Sequence, residues 1–167
     1  MNISNIAQYI DKCCNSDSEF EQIAPMIVSC AKQVSDRFLI NRESHVIIVS
    51  TIKIMIKNKS TKTQHKCLAL KLLNECIING KKPFHEYACN KIMSRLTILS
   101  LHQKDSSDYD KGKDIFGKQT DPKYGIEFLN SLLSYIPIWA DTYKYSNETH
   151  KSAFQKAYLK LIEYKVQ

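Results

Sequence analysis

The stretch CLALKLLNECII, at residues 67 to 78, decides the fold of this chain. It predicts a helix with apolar residues on almost every face, and such a helix has to be surrounded by other elements. Asn79 and Gly80 are expected to end it, with Gly80 in the left-handed conformation and Pro83 shortly beyond. The stretch therefore predicts the central helix of an all-helical domain.

Three helices are predicted before this central one. The apolar residues between positions 3 and 14 recur at helical spacing and predict the first. The second is expected to begin near Ala24, because Pro25 suits the first turn of a helix better than its interior. Asn41 is expected to cap a third helix that runs from Arg42 to Lys57.

The third and fourth helices differ in the strength of their signals. Residues 45 to 56 of the third are rich in β-branched side chains, which favour strands, but the length of the run and the lack of Gly and Pro favour a helix. Thr61 and Gln64 match a capping box, which predicts that the central helix starts directly after Thr61.

Three further helices are predicted after the central one. The fifth starts at Phe84, and the sixth starts with Asp121 as its cap and Pro122 in its first turn. Pro137 is expected to kink the sixth helix. Trp139 lies one turn beyond the apolar residue at position 136, so it is expected in the core.

The last helix is predicted to be capped by Ser146 or Asn147. Between the fifth and sixth helices, residues 103 to 121 are charged and lack periodicity. A loop of about 20 residues is unusual in a compact domain. We expect a flexible insertion there, and the alternative is a docking segment centred on its only apolar pair, Ile115 and Phe116.

The charge and cysteine content bound the possible functions. The net charge is +7 and is carried almost entirely by lysine, which is typical of a solvated surface with a general preference for anions.

None of the six cysteines forms a Cys-x-x-Cys pair, and no secretory leader is visible, so the thiols are expected to be free in a reducing compartment. No apolar run approaches the ~18 residues of a membrane span. A cytoplasmic protein, or one attached peripherally to a membrane, is expected.

The sequence does not favour catalysis. The five histidines are scattered, no pair has the spacing of a zinc motif, and no glycine-rich phosphate loop exists. We therefore expect no catalytic residues, no cofactor and no metal. His85 is expected to fix the start of the fifth helix.

A basic stretch near the turns between the third, fourth and fifth helices is the main candidate site. It is either a solvated rim or a contact for an anionic lipid or an acidic protein. Its members are Lys53, Lys57, Lys59, Lys62, Lys66, Lys81 and Lys82.

Two segments resemble the VHS domains of the ENTH/VHS superfamily. ALKLLNEC at residues 69 to 76, followed by NGKKPFHE at residues 79 to 86, is similar to the middle of these domains. The Trp139-Ala140-Asp141 sequence resembles their "EWAD" helix, and Ala157-Tyr158 resembles their closing helix. The order and spacing agree over nearly the whole chain, with residues 103 to 121 as an insertion.

The resemblance implies a single all-α domain over residues 1 to 167, built as a right-handed superhelix, or α-solenoid, of about seven to eight helices. It also implies a non-enzymatic adaptor in endosomal or vesicle trafficking that binds ubiquitin, a sorting-signal peptide or phosphoinositide. Ubiquitin-binding members carry a tryptophan early in the second helix, where Phe20 is the nearest counterpart here.

A second implied site is the groove in which some members bind acidic dileucine peptides. In this chain the candidate residues, on the helices that border such a groove, are Lys123, Tyr124, Lys156, Tyr158 and Lys160, and the lysines are expected to attract an acidic peptide. Two other functions are kept as alternatives. One is a structural scaffold subunit of a larger assembly, such as a cytoskeletal one. The other is a nucleic-acid-linked module, against which the scarcity of arginine and the absence of an aromatic stacking strip argue.

Overall fold

The computed structural model describes residues 5–17, 20–38, 41–102, 122–143 and 152–163. Within these ranges the chain is all-helical, with seven α-helices and no strand. The all-α class is confirmed, and so is the helical state of the β-branched third segment. The helices are α1 (Ile6–Cys14), α2 (Phe20–Phe38), α3 (Arg42–Lys57), α4 (Thr63–Asn79), α5 (Lys82–His102), α6 (Pro122–Thr142) and α7 (Ala153–Glu163).

The chain divides into two compact units, Met1–Ala88 and Cys89–Gln167, and the division falls within α5. We describe each unit by itself. The right-handed superhelix and the single domain stay predictions. The predicted insertion with its docking pair, Ile115 and Phe116, lies outside the described residues.

The first unit is organised around α4. This helix packs against α2, α3 and α1, and its apolar side chains are buried on nearly all sides. The three surrounding helices contribute core side chains that are at most 1% exposed: Ile27 and Val34 of α2, Ile48 and Ile52 of α3, and Ile10 of α1. The prediction of a surrounded central helix is thus confirmed.

The second helix starts earlier than the sequence predicts. It begins at Phe20 and runs through Pro25, which lies inside the helix. A proline at this position removes one backbone hydrogen bond, which costs up to ~3 kcal/mol in a helix interior. Burial of the α2 stripe, with Ile27 and Ala31 fully enclosed, outweighs that cost.

Of the two predicted N-terminal caps, that of α3 is confirmed and that of α4 is wrong. The Asn41 side chain accepts a hydrogen bond of 2.9 Å from the backbone N–H of Glu43, as predicted for a cap. Helix α4 begins at Thr63, so its capping position falls on Lys62, whose side chain makes no capping bond.

The turn from α4 to α5 depends on close packing rather than on a left-handed residue. Gly80 has extended backbone angles, φ −83° and ψ 176°, so the predicted left-handed conformation is wrong. A Cβ atom there would lie 2.8 Å from the carbonyl oxygen of Cys76 and 2.9 Å from Cδ1 of Phe84. Glycine is required because α5, which begins at Lys82 rather than at Phe84, approaches α4 closely.

His85 joins the two helices at this turn. Its ring is 1% exposed, and Nε2 lies 2.7 Å from the carbonyl oxygen of Ile77 in the last turn of α4. A carbonyl only accepts, so Nε2 carries the hydrogen and donates it. Burial lowers the pKa of His85 below its ordinary value, and the bond to Ile77 opposes that shift. The predicted role at the helix start is confirmed, with the end of α4 as the partner.

The second unit contains the packed pair α6 and α7. Trp139 is fully buried, as predicted. Its ring centroid lies 5.7 Å from that of Tyr135 and 5.6 Å from that of Phe154. The sixth helix begins at Pro122 and continues through Pro137. The last helix is capped by Ser152 and not by Ser146 or Asn147, because Ser152 and Gln155 form a reciprocal capping box.

None of the described helices combines the length and the apolar character needed to cross a bilayer.

We predict that Gly80→Ala destabilises the protein by about 1–3 kcal/mol, because the new methyl group overlaps backbone and ring atoms. Denaturant unfolding followed by circular dichroism measures this change. Ile78→Ala, two residues earlier at an exposed position, is the control and should change the free energy of unfolding by no more than about 0.5 kcal/mol. Equal stability of Gly80→Ala and the wild type would contradict the close approach.

We predict a second, pH-dependent effect for His85→Gln. Because folding lowers the pKa of His85, its contribution to stability is complete above the ordinary value of 6.5 and is lost as pH falls through the folded-state pKa. The variant should be less stable than the wild type at pH 7, and the difference should shrink between pH 7 and pH 5. A difference that is constant over this range would show that the buried ring does not titrate as described.

Candidate functional site

An open groove of about 690 Å³ lies in the first unit, where α1, the end of α3 and the start of α4 come together. Most of its lining side chains are polar, and two are apolar. The lining residues are Asp11, Lys12, Asn15, Ile54, Met55, Asn58, Ser60, Thr61, Lys62 and His65. The groove is therefore rich in hydrogen-bond donors and in both signs of charge.

A three-residue cluster lies at the edge of this groove. Oδ1 of Asp17 is 2.9 Å from Nε2 of His65, and Nζ of Lys62 is 3.2 Å from both carboxylate oxygens. The bond with His65 and then the bond with Lys62 lower the pKa of Asp17. The His65 side chain is 10% exposed and that of Asp17 is 64% exposed. The cluster thus presents an exposed carboxylate held by a buried imidazole and an exposed ammonium group.

The segment from residue 53 to residue 62, which supplies six of the residues that line the groove, is basic. No acidic residue occurs between Glu43 and Glu75, and this interval contains the lysines of the α3–α4 turn. We use the name basic rim for the four of them that surround the turn, of which the first is half-buried and the others are exposed: Lys53, Lys57, Lys59 and Lys62. Ile54, beside them in the groove lining, is 62% exposed. An exposed apolar side chain among lysines is the distinguishing feature of this surface.

The predicted seven-lysine patch is not one surface. Lys66 is 1% exposed, because it stands in the first turn of a helix that is enclosed on nearly all sides. Lys81 and Lys82 lie at the opposite end of α4, a helix of 17 residues and thus about 25 Å long. Lys82 is also near Glu86, at 3.9 Å. The four residues of the basic rim lie within ten residues of one another around the α3–α4 turn.

The predicted peptide groove stays a prediction. Lys156, Tyr158 and Lys160 are exposed on α7, and Tyr124 is half-buried on α6. Lys123 lies in the first turn of α6, and its side chain is outside the described residues. A separate cleft of about 450 Å³ runs along α6, and none of the predicted groove residues lines it. The side chain of Phe20, the predicted ubiquitin contact, is likewise outside the described part of the chain.

Asp17 and the polar residues contributed by α1 were not predicted from the sequence. Asp17 is 45 residues from Lys62 and 48 from His65. Neither spacing belongs to a local motif, so no sequence pattern connects these residues. The lysines around the α3–α4 turn can be recognised in the sequence because they lie close together along the chain. Among the residues that the structure describes, no group of three or more His, Cys, Asp or Glu side chains is arranged to hold a metal ion.

No protein-family model, curated protein or solved structure matches this chain.

We predict that the pKa of Asp17, measured by carbon-detected NMR, lies below its ordinary value of 3.8. Lys62→Met should raise this pKa, because it removes one of the two partners of the carboxylate. Lys81→Met, at the other end of α4, is the matched control and should leave it unchanged. An equal shift in the two variants would assign the effect to net charge rather than to the cluster.

Proposed function

We propose that this chain is a non-enzymatic, VHS-like binding module that attaches to anionic phospholipid, including phosphoinositide, on the cytoplasmic surface of an intracellular membrane. The observation that carries the proposal is the basic rim on the segment that lines an open, donor-rich groove, with the exposed Ile54 in the groove lining. The overall arrangement that we propose is the right-handed superhelix that the resemblance implies.

The charges of the rim favour a membrane surface. Lysines close to an anionic leaflet each contribute on the order of 1 kcal/mol of attraction. Lys57, Lys59 and Lys62 are exposed within six residues of one another, which concentrates three positive charges at the α3–α4 turn. An exposed isoleucine between lysines adds apolar contact with the acyl boundary, as on amphipathic surfaces that bind membranes.

The groove supplies donors for a phosphorylated headgroup. Asn58, Ser60 and Thr61 line it, and their amide and hydroxyl groups donate hydrogen bonds to phosphate oxygens. Lys62 and His65 already hold the carboxylate of Asp17, which shows that their orientation suits an anionic oxygen. Lysine acts here as a point charge, which is how it commonly recognises phosphate.

The open shape of the groove favours binding over catalysis. Enzymes place their charged groups in sites that exclude water, because electrostatic stabilisation is strongest there. The Asp17 carboxylate is instead 64% exposed at the groove edge. We therefore propose a role in recognition, as an adaptor in vesicle or endosomal trafficking.

The test is co-sedimentation of the full chain with vesicles. The wild type should bind vesicles that contain phosphatidylserine or phosphoinositide and not vesicles of phosphatidylcholine alone. The triple variant Lys57→Gln, Lys59→Gln and Lys62→Gln should bind about 100-fold more weakly, since each lysine contributes on the order of 1 kcal/mol.

A charge-matched variant serves as the control. The variant Lys81→Gln, Lys82→Gln and Lys91→Gln removes three exposed lysines that are not members of the basic rim, and it should retain binding. Equal losses in the two triple variants would indicate a general charge effect. Absence of vesicle binding, together with capture of ubiquitin or of an acidic dileucine peptide, would replace the lipid with a protein partner.

A further inference from the structure

Five of the six cysteines lie in the core of the first unit. All of these except Cys67 are close enough to interact electrostatically. Cys13 and Cys14 are on α1, Cys30 is on α2 and Cys76 is on α4. All four are buried free thiols, and Cys13, at 7%, is the most exposed of them. Since α1 packs against both α2 and α4, three helices bring their cysteines into one region.

Cys13 and Cys30 lie at the same level of the packed pair α1 and α2. Tyr9, one turn before Cys13, donates a hydrogen bond of 2.8 Å to Oε1 of Gln33, one turn after Cys30, so the two helices are joined beside the two thiols. At this level the thiols of Cys13 and Cys30 interact by a hydrogen bond. The hydroxyl of Tyr9 also hydrogen-bonds at these sulfurs. The two sulfurs are therefore neighbours in a partly polar environment, whereas Cys14 and Cys76 are fully enclosed.

This interaction makes the two thiols unequal. The hydrogen bond from Cys30 lowers the pKa of Cys13 against the effect of burial, and Tyr9 and Lys12 lower it further. The same hydrogen bond and burial raise the pKa of Cys30. Burial raises the pKa of Cys14, and it raises that of Cys76 to about 12. Cys13 is thus the thiol that ionises most readily, and the thiolate is the nucleophilic form.

We propose that Cys13 and Cys30 are a redox modification site, at which hydrogen peroxide converts the two neighbouring thiols into a reversible disulfide that ties α1 to α2. The site is independent of the proposed function. It does bear on the groove, because Asp11 and Lys12, which line it, directly precede Cys13 on α1.

The chemistry has two balanced steps. The Cys13 thiolate attacks one peroxide oxygen, the O–O bond breaks, and the departing hydroxide takes up a proton to form water, which leaves a sulfenic acid on Cys13. The sulfur of Cys30 then attacks the sulfur of Cys13. The S–O bond breaks, and the hydroxyl leaves as water with the proton of Cys30. Two thiols and one peroxide give one disulfide and two waters.

Peptide mapping of the folded, full chain tests this proposal. The protein is treated with hydrogen peroxide, its remaining thiols are alkylated under denaturing conditions, and it is cleaved after glutamate, which separates Cys13 from Cys30. We expect a Cys13–Cys30 linked peptide, lighter than its two components by two hydrogens and released by dithiothreitol. The other four cysteines should be alkylated.

Two variants sharpen the test. Cys14→Ser should still form the disulfide, whereas Cys30→Ser should leave Cys13 as a sulfenic acid that dimedone traps. Circular dichroism confirms that each variant is folded. Full alkylation of Cys13 and Cys30 in the oxidised wild type would overturn the proposal, as would a link through Cys14. These masses do not depend on vesicle binding, so failure here and failure of the proposed function are distinguishable.

Discussion

The burial of α4 on nearly all of its sides is the constraint on which the first unit depends. Its apolar side chains occupy nearly all of its faces, so α1, α2 and α3 have to cover it. The requirement is strong enough to enclose Lys66, at 1% exposure, within the same helix. Burial of a long side chain with a charged end is costly unless its polar atoms are satisfied. The apolar majority of α4 therefore determines where its minority of polar residues lie.

A helix that is covered along its length reaches the surface only at its ends, and the two ends of α4 are built differently. At its C-terminal end, Gly80 permits the close approach of α5, and His85 donates to the carbonyl of Ile77. These contacts hold the start of α5 close against that end. At its N-terminal end, the capping position is Lys62, whose side chain bonds Asp17 rather than the helix backbone. This end is open, polar and lined by side chains from three helices. The asymmetry places the candidate site beside the start of α4.

The sequence predicts most of the helices because their patterns are local, and it fails where distant packing decides the outcome. The bounds of α3 follow from Asn41 and an uninterrupted apolar run, and the burial of Trp139 follows from its stripe. The start of α2 does not follow from a local pattern. Pro25 disfavours a helix around it, and the helix forms through it because its apolar side chains are buried against other helices. The conformation of Gly80 escapes prediction for a similar reason. Its neighbour Phe84 imposes the need for glycine through space, whereas the sequence pattern indicated a backbone role.

Only the part of the candidate site formed by residues close together in the sequence, the lysines of the α3–α4 turn, could be predicted. A run of lysines is visible in a sequence, but whether its members share a surface depends on the helix between them. The length of α4 separates Lys81 from Lys62 by about 25 Å, and the burial of α4 removes Lys66 from the surface. The long-range part required the fold, because only the packing of α1 against α4 brings Asp17 to His65. A carboxylate that reaches a buried imidazole from a distant segment fixes the geometry of the donors around it. The chemistry of the groove is thus a consequence of how the apolar core is closed.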